Sequence, residues 1–85
     1  MATRNEQVIF GDIFTELRKA EAEFPGWPDD VVHGSAIVAE EAGELVQAAL
    51  DRFYGRCDTD NDIRTEAVQT AAMAIRFLLN LKGGV

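Results

Sequence analysis

The 85-residue sequence contains few residues that could crosslink a small domain. Its single cysteine, Cys57, excludes an internal disulfide. Its single histidine, His33, leaves no cysteine and histidine pattern suited to zinc. A reducing, cytoplasmic environment is therefore the expected location. Both prolines lie in one short stretch, residues 24–30, so the rest of the chain is free to form helices.

Basic residues are also scarce, since 8 Lys and Arg stand against 15 Asp and Glu, giving a formal net charge of −7. This balance argues against a nucleic-acid polymer or an anionic membrane as partner, because both require a basic surface. The longest apolar stretch, residues 67–81, is shorter than the ~20 residues of a membrane span and is interrupted by polar side chains. The first ten residues lack the apolar run of a signal peptide. An acidic chain of this kind could instead gather carboxylates around a cation.

The apolar pattern predicts one all-α domain, residues 1–85, with three main helices. Apolar residues recur at three- and four-residue steps, and no segment alternates as a half-buried strand does. The first helix is predicted from about Asn5 to Glu23 and ends at the sequence FPGWPDD. The second is predicted from about Asp30 to Tyr54. The third is predicted to start near residues 60–62 and to end at residues 83–84.

The predicted ends of these helices rest on short local signals. Asp29 or Asp30 could cap the second helix, and an aspartate near residues 60–62 could cap the third. Gly55 breaks the second helix. Gly83 and Gly84 suit the end of the third.

The second and third helices are apolar around most of their circumference. A helix of this kind must be covered on several sides. A chain that buries only about 60% of its unfolded surface has little material of its own to provide that cover. The pattern therefore predicts a homo-oligomer built from dimers, in which helices of neighbouring copies pack together across the interface as a bundle.

The sequence AIVAEEAGELVQAAL, residues 36–50, carries Glu40, Glu41 and Glu44 in an otherwise apolar segment. On a helical wheel the three share one arc of about 100°, and Glu44 lies about one turn from both Glu40 and Glu41. Buried carboxylates without a partner are costly, and like charges this close repel one another. A cation would compensate both effects.

The predicted third helix carries a matching polar stripe. Glu66, Gln69, Arg76 and Asn80 fall on one side of it, although the helix is apolar elsewhere. If Glu66 faces the glutamates of the second helix, four carboxylates and the Gln69 amide offer only oxygen ligands. Oxygen ligands suit a hard cation, Mg²⁺ or Mn²⁺, and Mg²⁺ commonly links protein carboxylates to substrate phosphates. A solvated acidic helix face is the plain alternative.

EEAGE, residues 40–44, followed by EAVQ, residues 66–69, resembles the pattern of the MazG-like all-α nucleoside triphosphate pyrophosphohydrolases. That family has E-E-x-x-E on one helix and E-x-x-D on the next, and here 21 residues separate Glu44 from Glu66. GWPDD before the glutamate helix and EAVQTAAMAIRFL after it also resemble small MazG-like proteins. The resemblance covers about residues 5–82.

The resemblance implies cleavage of a nucleotide between its α- and β-phosphates, giving a monophosphate and pyrophosphate. It implies Mg²⁺ held by Glu41, Glu44 and Glu66, with Glu40 or Glu41 orienting or deprotonating the attacking water. Gln69 stands where the family has aspartate. An amide can ligate a cation, but it adds no charge and cannot act as a base. A nucleotide-binding or dimerisation protein without catalysis on the same fold is therefore the alternative function.

Further residues are candidates for contact with the substrate. Arg76 could bind phosphate, or it could reach solvent or pair with a carboxylate at a subunit interface, and Asn80 lies further along the same stripe. Trp27 could stack on a base, with packing in the proline turn as the alternative. His33 lies on the glutamate side of the second helix, where it could approach the substrate or simply face solvent.

Two other functions are weaker matches. Residues 58–69 begin like an EF-hand calcium loop, with Asp58, Asp60 and Asp62. However, Ile63 replaces the required glycine, and Gln69 replaces the final bidentate glutamate. The phosphoribosyl-ATP pyrophosphohydrolase of histidine synthesis resembles the same superfamily, but GWPDD and EAVQT fit the MazG-like group better.

Overall fold

The computed structural model describes residues 5–82, which form three α-helices and no strand. Helix α1 spans Glu6–Glu23, α2 spans Val31–Phe53 and α3 spans Asn61–Leu79. The prediction of an all-α chain with three main helices is confirmed. No helix in the described range is both long and apolar enough to cross a membrane.

The first two helices begin where the sequence predicts. Asn5 caps α1, since its Oδ1 accepts a hydrogen bond of 2.9 Å from the Val8 amide. Asp30 caps α2 in the same way, accepting 2.8 Å from the His33 amide. Each cap satisfies one amide that has no partner inside the helix.

The start of α3 is different from the prediction that an aspartate caps it. Asp60 occupies the cap position, but its side chain accepts no bond from the helix. Its carboxylate instead accepts a hydrogen bond of 3.1 Å from Arg52 Nε at the end of α2. The amide of Asn61 donates to Thr59 Oγ1 at 3.3 Å. A tertiary ion pair has taken the place of the local cap.

Helix α2 ends at a glycine turn, whereas α3 ends at a residue whose side chain bonds the last turn. Gly55 has a φ of 77°, which favours glycine, and its amide donates to Arg52 O at the end of α2. Helix α3 was predicted to continue to residues 83–84 but ends at Leu79. The Asn80 side chain donates to Arg76 O at 2.8 Å, satisfying a carbonyl of the last turn. Gly83 and Gly84 lie outside the described residues.

Helix α3 is the centre of the arrangement. It packs against both α1 and α2, whereas no Cα atom of α1 comes within 8 Å of one in α2. The core is small and lies on α3 where the other two helices converge. Its buried side chains are Leu17, Ala20, Ala72 and Met73, with Ile13, Trp27, Ile37, Val38 and Ile75 packed around them.

Many large apolar side chains remain exposed on all three helices. The most exposed on α2 is Phe53, at 78%, and on α3 it is Leu78, at 65%. Within residues 5–82 only five apolar residues are buried, whereas many larger ones stay exposed, and exposed apolar surface of this extent often marks an interaction site. The others on or near the helices are Val8, Ile9, Phe10, Phe14, Phe24, Val31, Val32, Val46, Leu50, Tyr54, Leu79 and Leu81.

Candidate functional site

Three carboxylates of α2 and α3 converge at the contact between these helices. Glu41 and Glu44, one turn apart on α2, meet Glu66 from the second turn of α3. Each offers one oxygen, and these three oxygens all lie within 4.8 Å of one another. This set is called the carboxylate triad below. Among residues 5–82 it is the one group of three or more His, Cys, Asp or Glu side chains arranged in this way.

The triad is partly removed from water. Glu41 and Glu66 are half-buried, and Glu44 is exposed. Glu41 Oε2 and Glu66 Oε1 are buried atoms for which the structure has no hydrogen-bond partner. Buried polar atoms are normally paired, so the two oxygens indicate a site that accepts something further.

Burial and mutual repulsion shift the titration of two of these groups. Desolvation raises the pKa of Glu41, and the negative charges of Glu44, Glu66, Glu40 and Glu16 raise it further. Desolvation also raises the pKa of Glu66, with further contributions from the charge of Glu44 and a hydrogen bond to it. The site is therefore electrostatically strained when all three carboxylates are ionised.

The triad fits a small hard cation. Two oxygens on opposite sides of Mg²⁺, each at about 2.1 Å, are about 4.2 Å apart. Adjacent ligands of the same ion lie closer, at about 3.0 Å, so the three oxygens, which lie within 4.8 Å of one another, would draw together on binding it. A cation would also satisfy the two unpartnered oxygens and neutralise the repulsion among the three charges.

A cavity of about 430 Å³ opens beside the triad, between α1 and α2 and over α3. Its size is typical of small-molecule sites. Glu41 forms part of both the triad and the cavity wall, so a ligand in the cavity lies next to the triad. The wall is formed by Glu16, Ala20, Glu23, Phe24, Gly26, Trp27, Ile37, Glu41, Gln69, Met73 and Arg76.

Helix α1 contributes two acidic residues that the sequence interpretation did not include. Glu16 and Glu23 line the cavity from the side opposite α2. Both border the apolar face of α1 that carries Leu17 and Ala20, one and three residues away respectively. The sequence does show a charged residue at each edge of this buried face. It does not show which helix or cavity that edge of α1 contacts.

Arg76 is buried, with 4% of its surface exposed. Its guanidinium donates to Ala20 O at 3.4 Å, to Phe24 O and to Gly26 O at 3.1 Å. It therefore ties the end of α1 and the following loop to α3. These three backbone carbonyls take up much of the hydrogen-bonding capacity of the guanidinium N–H groups. The observed role of Arg76 is to hold these backbone segments together, and its contact with phosphate stays a prediction.

Trp27 forms one wall of the cavity. Its ring lies under the Arg76 guanidinium, 5.2 Å from Cζ to the ring centroid. On the other side it packs closely against Gly34 in the first turn of α2. A Cβ on residue 34 would lie 3.1 Å from Trp27 Nε1 and 3.3 Å from Phe77 Cδ1.

Gly34→Ala is therefore expected to displace Trp27 and to lower the free energy of unfolding, because an overpacking cost of about 1–3 kcal/mol exceeds the ~0.5–1 kcal/mol gained by replacing a helical glycine. Trp27 is the single tryptophan, so its fluorescence emission reports the displacement directly. Gly43→Ala is the matched control, because no atom lies within 4 Å of a Cβ there. That substitution should stabilise α2 by about 0.5–1 kcal/mol and leave the emission unchanged. Equal effects of the two substitutions would contradict the assigned contact.

Of the other predicted site residues, one lies in the cavity wall and three lie outside it. Gln69, predicted to add an amide oxygen to the cation site, lines the cavity together with Glu41. Glu40 is exposed and lies outside the triad and the cavity wall. Asn80 lies in a separate pocket of about 250 Å³, behind Trp27. His33 is exposed, with its Nδ1 2.8 Å from both carboxyl oxygens of Asp30.

The carboxylates of the EF-hand-like segment do not converge. Asp60 pairs with Arg52. Asp62 lies in the first turn of α3, where its carboxylate accepts a long contact of 3.9 Å from Cys57 Sγ. Glu66 is on the helix and belongs to the triad. The described residues thus give no support to a calcium loop.

Comparison with family models, curated proteins and solved structures gives no match to this chain.

Proposed function

We propose that this chain is a Mg²⁺-dependent nucleoside triphosphate pyrophosphohydrolase of the MazG-like type. The proposed reaction converts a (d)NTP to a (d)NMP and pyrophosphate. The observation that carries the proposal is the carboxylate triad, with two buried and unpartnered oxygens, placed at the edge of a cavity of small-molecule size. The order and spacing of EEAGE and EAVQ in the sequence support the same function.

In this proposal Glu41, Glu44 and Glu66 hold Mg²⁺, and Mn²⁺ could replace it. A cation held there would supply positive charge to the phosphoryl oxygens and would lower the pKa of a water bound to it. Glu41 is the carboxylate best placed to orient or deprotonate the attacking water, because it belongs to both the triad and the cavity wall. Glu40, also predicted to be catalytic, is exposed and contributes through its negative charge near Glu41.

The cavity accepts the remainder of the nucleotide. Trp27, Ile37 and Met73 provide apolar wall suited to a base or sugar, and Gln69 provides an amide. Arg76 gives the wall a positive charge that favours phosphate even where its donors bind backbone. Asn80 and His33, also predicted to contact the substrate, are not part of this wall.

Gln69 favours a second candidate function, a nucleotide-binding protein without catalysis. It occupies the place on α3 where a carboxylate would add charge and a possible base, and it faces the same cavity as Glu41. Such a protein would bind nucleotide with Mg²⁺ but would release no pyrophosphate.

The deciding experiment incubates the purified chain with each common NTP and dNTP in Mg²⁺, in Mn²⁺ and in EDTA. Monophosphate and pyrophosphate are quantified by chromatography. Equal amounts of the two products that depend on the cation support the pyrophosphohydrolase. Cation-dependent nucleotide binding without turnover supports the second function, and neither binding nor turnover contradicts both.

We also propose that the chain acts as a homo-oligomer, a dimer or tetramer of helical subunits. The extent of exposed apolar surface on all three helices supports this.

A further inference from the structure

The buried side chain of Arg76 holds the connection between α1 and α2 against α3. Its guanidinium donates to the carbonyl oxygens of Ala20, Phe24 and Gly26. Ala20 lies in the last turn of α1, and the other two acceptors follow that helix. Residues 24–27 are called the loop segment below. A planar guanidinium can bind several carbonyls in fixed directions, which the compact ammonium of lysine cannot do.

The loop segment carries two aromatic side chains of the cavity wall, and Arg76 contacts both residues. The Phe24 carbonyl accepts from Arg76. The Phe24 amide donates to Ala20 O at 2.8 Å, so its backbone is held on both sides although the residue is 69% exposed. The Trp27 ring lies under the guanidinium, 5.2 Å from Cζ to the ring centroid. Without Arg76, both rings would lose a contact that fixes their position.

The triad and Arg76 mark opposite ends of the cavity along α3. Arg76 follows Glu66 of the triad by ten residues, which corresponds to about 15 Å along the helix axis. Gln69 and Met73 line the wall between them. A cation held by the triad would keep the phosphates of a nucleotide at the Glu66 end. The nucleoside would then extend toward the loop segment and its aromatic rings.

From these observations we infer that Arg76 is a positioning residue for nucleotide binding. It holds the loop segment so that Phe24 and Trp27 are in place for the nucleoside, and it acts on the nucleotide through them. A wall that is ordered in advance spares the ordering cost that binding would otherwise carry. Arg76 therefore contributes to affinity for the nucleoside part, and the contribution does not depend on the β- and γ-phosphates.

The inference rests on the proposed function, because it places a nucleotide in the cavity, but the two can fail separately. Wild type that binds nucleotide without releasing pyrophosphate would contradict the hydrolysis and keep the role of Arg76. Wild type that hydrolyses nucleotide while Arg76 variants bind it normally would do the reverse. Wild type that binds no nucleotide would contradict both.

The test compares wild type with Arg76→Lys, which keeps the positive charge but cannot bind the carbonyls as a planar fork. Calorimetry in Mg²⁺ measures binding of α,β-methylene dNTPs, which are not cleaved between the α- and β-phosphates, of the corresponding dNMPs and of inorganic pyrophosphate. Affinity for the analogue and for the dNMP should fall by the same factor, about 10-fold, as for the loss of one hydrogen bond to a charged group. Affinity for pyrophosphate should not change. Unchanged dNMP affinity, or a loss confined to pyrophosphate and the analogue, would overturn the inference.

Two further measurements separate positioning from a general loss of stability. In ligand-free protein, Arg76→Lys should increase the quenching of Trp27 fluorescence by acrylamide, because the ring loses the guanidinium that covers it. Ala48→Gly is the matched control, since Ala48 is buried at 8% but belongs to neither the cavity wall nor the triad. It should lower the unfolding temperature and leave quenching and all three affinities as in wild type. An equal loss of dNMP affinity in Ala48→Gly would contradict the role of Arg76.

Gly34→Ala decides the question if Arg76→Lys fails to fold, which circular dichroism will show. Its added Cβ displaces Trp27 without removing any contact of Arg76 with the backbone carbonyls. This variant should also lose affinity for the dNMP and keep wild-type affinity for pyrophosphate. Unchanged dNMP affinity in Gly34→Ala would overturn the inference, because the position of the Trp27 ring would then have no effect on the nucleoside.

Discussion

Glu41→Gln is expected to reduce Mg²⁺-dependent pyrophosphate release by about 10³-fold or more. The substitution preserves the shape of the side chain but removes one negative charge from the triad and one possible base from the cavity wall. A general base contributes about 10²–10⁴-fold to such a reaction, and losing a carboxylate that holds the cation adds to that loss. Quantifying pyrophosphate at saturating nucleotide measures the effect on turnover.

Two further glutamine variants separate the roles of the acidic residues. Glu44→Gln should increase the Mg²⁺ concentration needed for half-maximal activity about 10- to 100-fold, because Glu44 belongs to the triad but not to the cavity wall. Glu6→Gln, in the first turn of α1, should leave activity unchanged. Full activity of Glu41→Gln would contradict the assigned site.

The second large effect concerns stability in the absence of a cation. The pKa values of Glu41 and Glu66 are raised above the ordinary value of 4.5, by burial first and by neighbouring carboxylates second. The folded chain therefore binds more protons than the unfolded chain between pH 4.5 and the raised values. The stabilisation from these protons is complete below pH 4.5 and is lost as pH rises through the folded pKa values. In EDTA at pH 7, Glu41→Gln should consequently unfold at a higher temperature than wild type.

Mg²⁺ should reverse this order. At 100 times its dissociation constant, a ligand that binds only the folded state adds about 2.7 kcal/mol of stability. For a domain of this size that raises the unfolding temperature by roughly 10–20 °C. Wild type should gain this increment and Glu41→Gln should gain little. The measurement is thermal unfolding of both proteins at one protein concentration, in EDTA and in Mg²⁺, at pH 5 and pH 7. A variant less stable than wild type in EDTA, with equal response to Mg²⁺, would contradict the explanation.

Local sequence signals predicted the helices well. The starts of α1 and α2 rest on Asn5 and Asp30, whose side chains bond amides three residues away, so the signal and the structure lie in the same short segment. The meeting of Glu41 and Glu44 with Glu66 was predicted for a similar reason. Helical spacing places the first two on one face, and a short connection brings the next helix against it.

The predictions that failed or remained incomplete depend on contacts between distant segments. Asp60 occupies the N-cap position of α3 and is a residue type that commonly caps helices, but its carboxylate binds Arg52 instead. The role of Glu16 in the cavity depends on how α1 crosses α3, which no local pattern specifies. Arg76 binds carbonyls fifty or more residues earlier in the chain. The sequence shows that Arg76 belongs to a polar stripe, but it does not show which groups the side chain binds.

The central position of α3 determines the order in which the chain can fold. Helices α2 and α3 are joined by a short loop and can pair as a hairpin, with little loss of loop entropy. Helix α1 has no backbone contact with α2 and must find α3, which begins 38 residues after α1 ends at Glu23. Contacts between segments so far apart form late and open first. Amide hydrogens of α1 should therefore exchange with solvent faster than those of α3, and the cavity should be the last feature of the subunit to form.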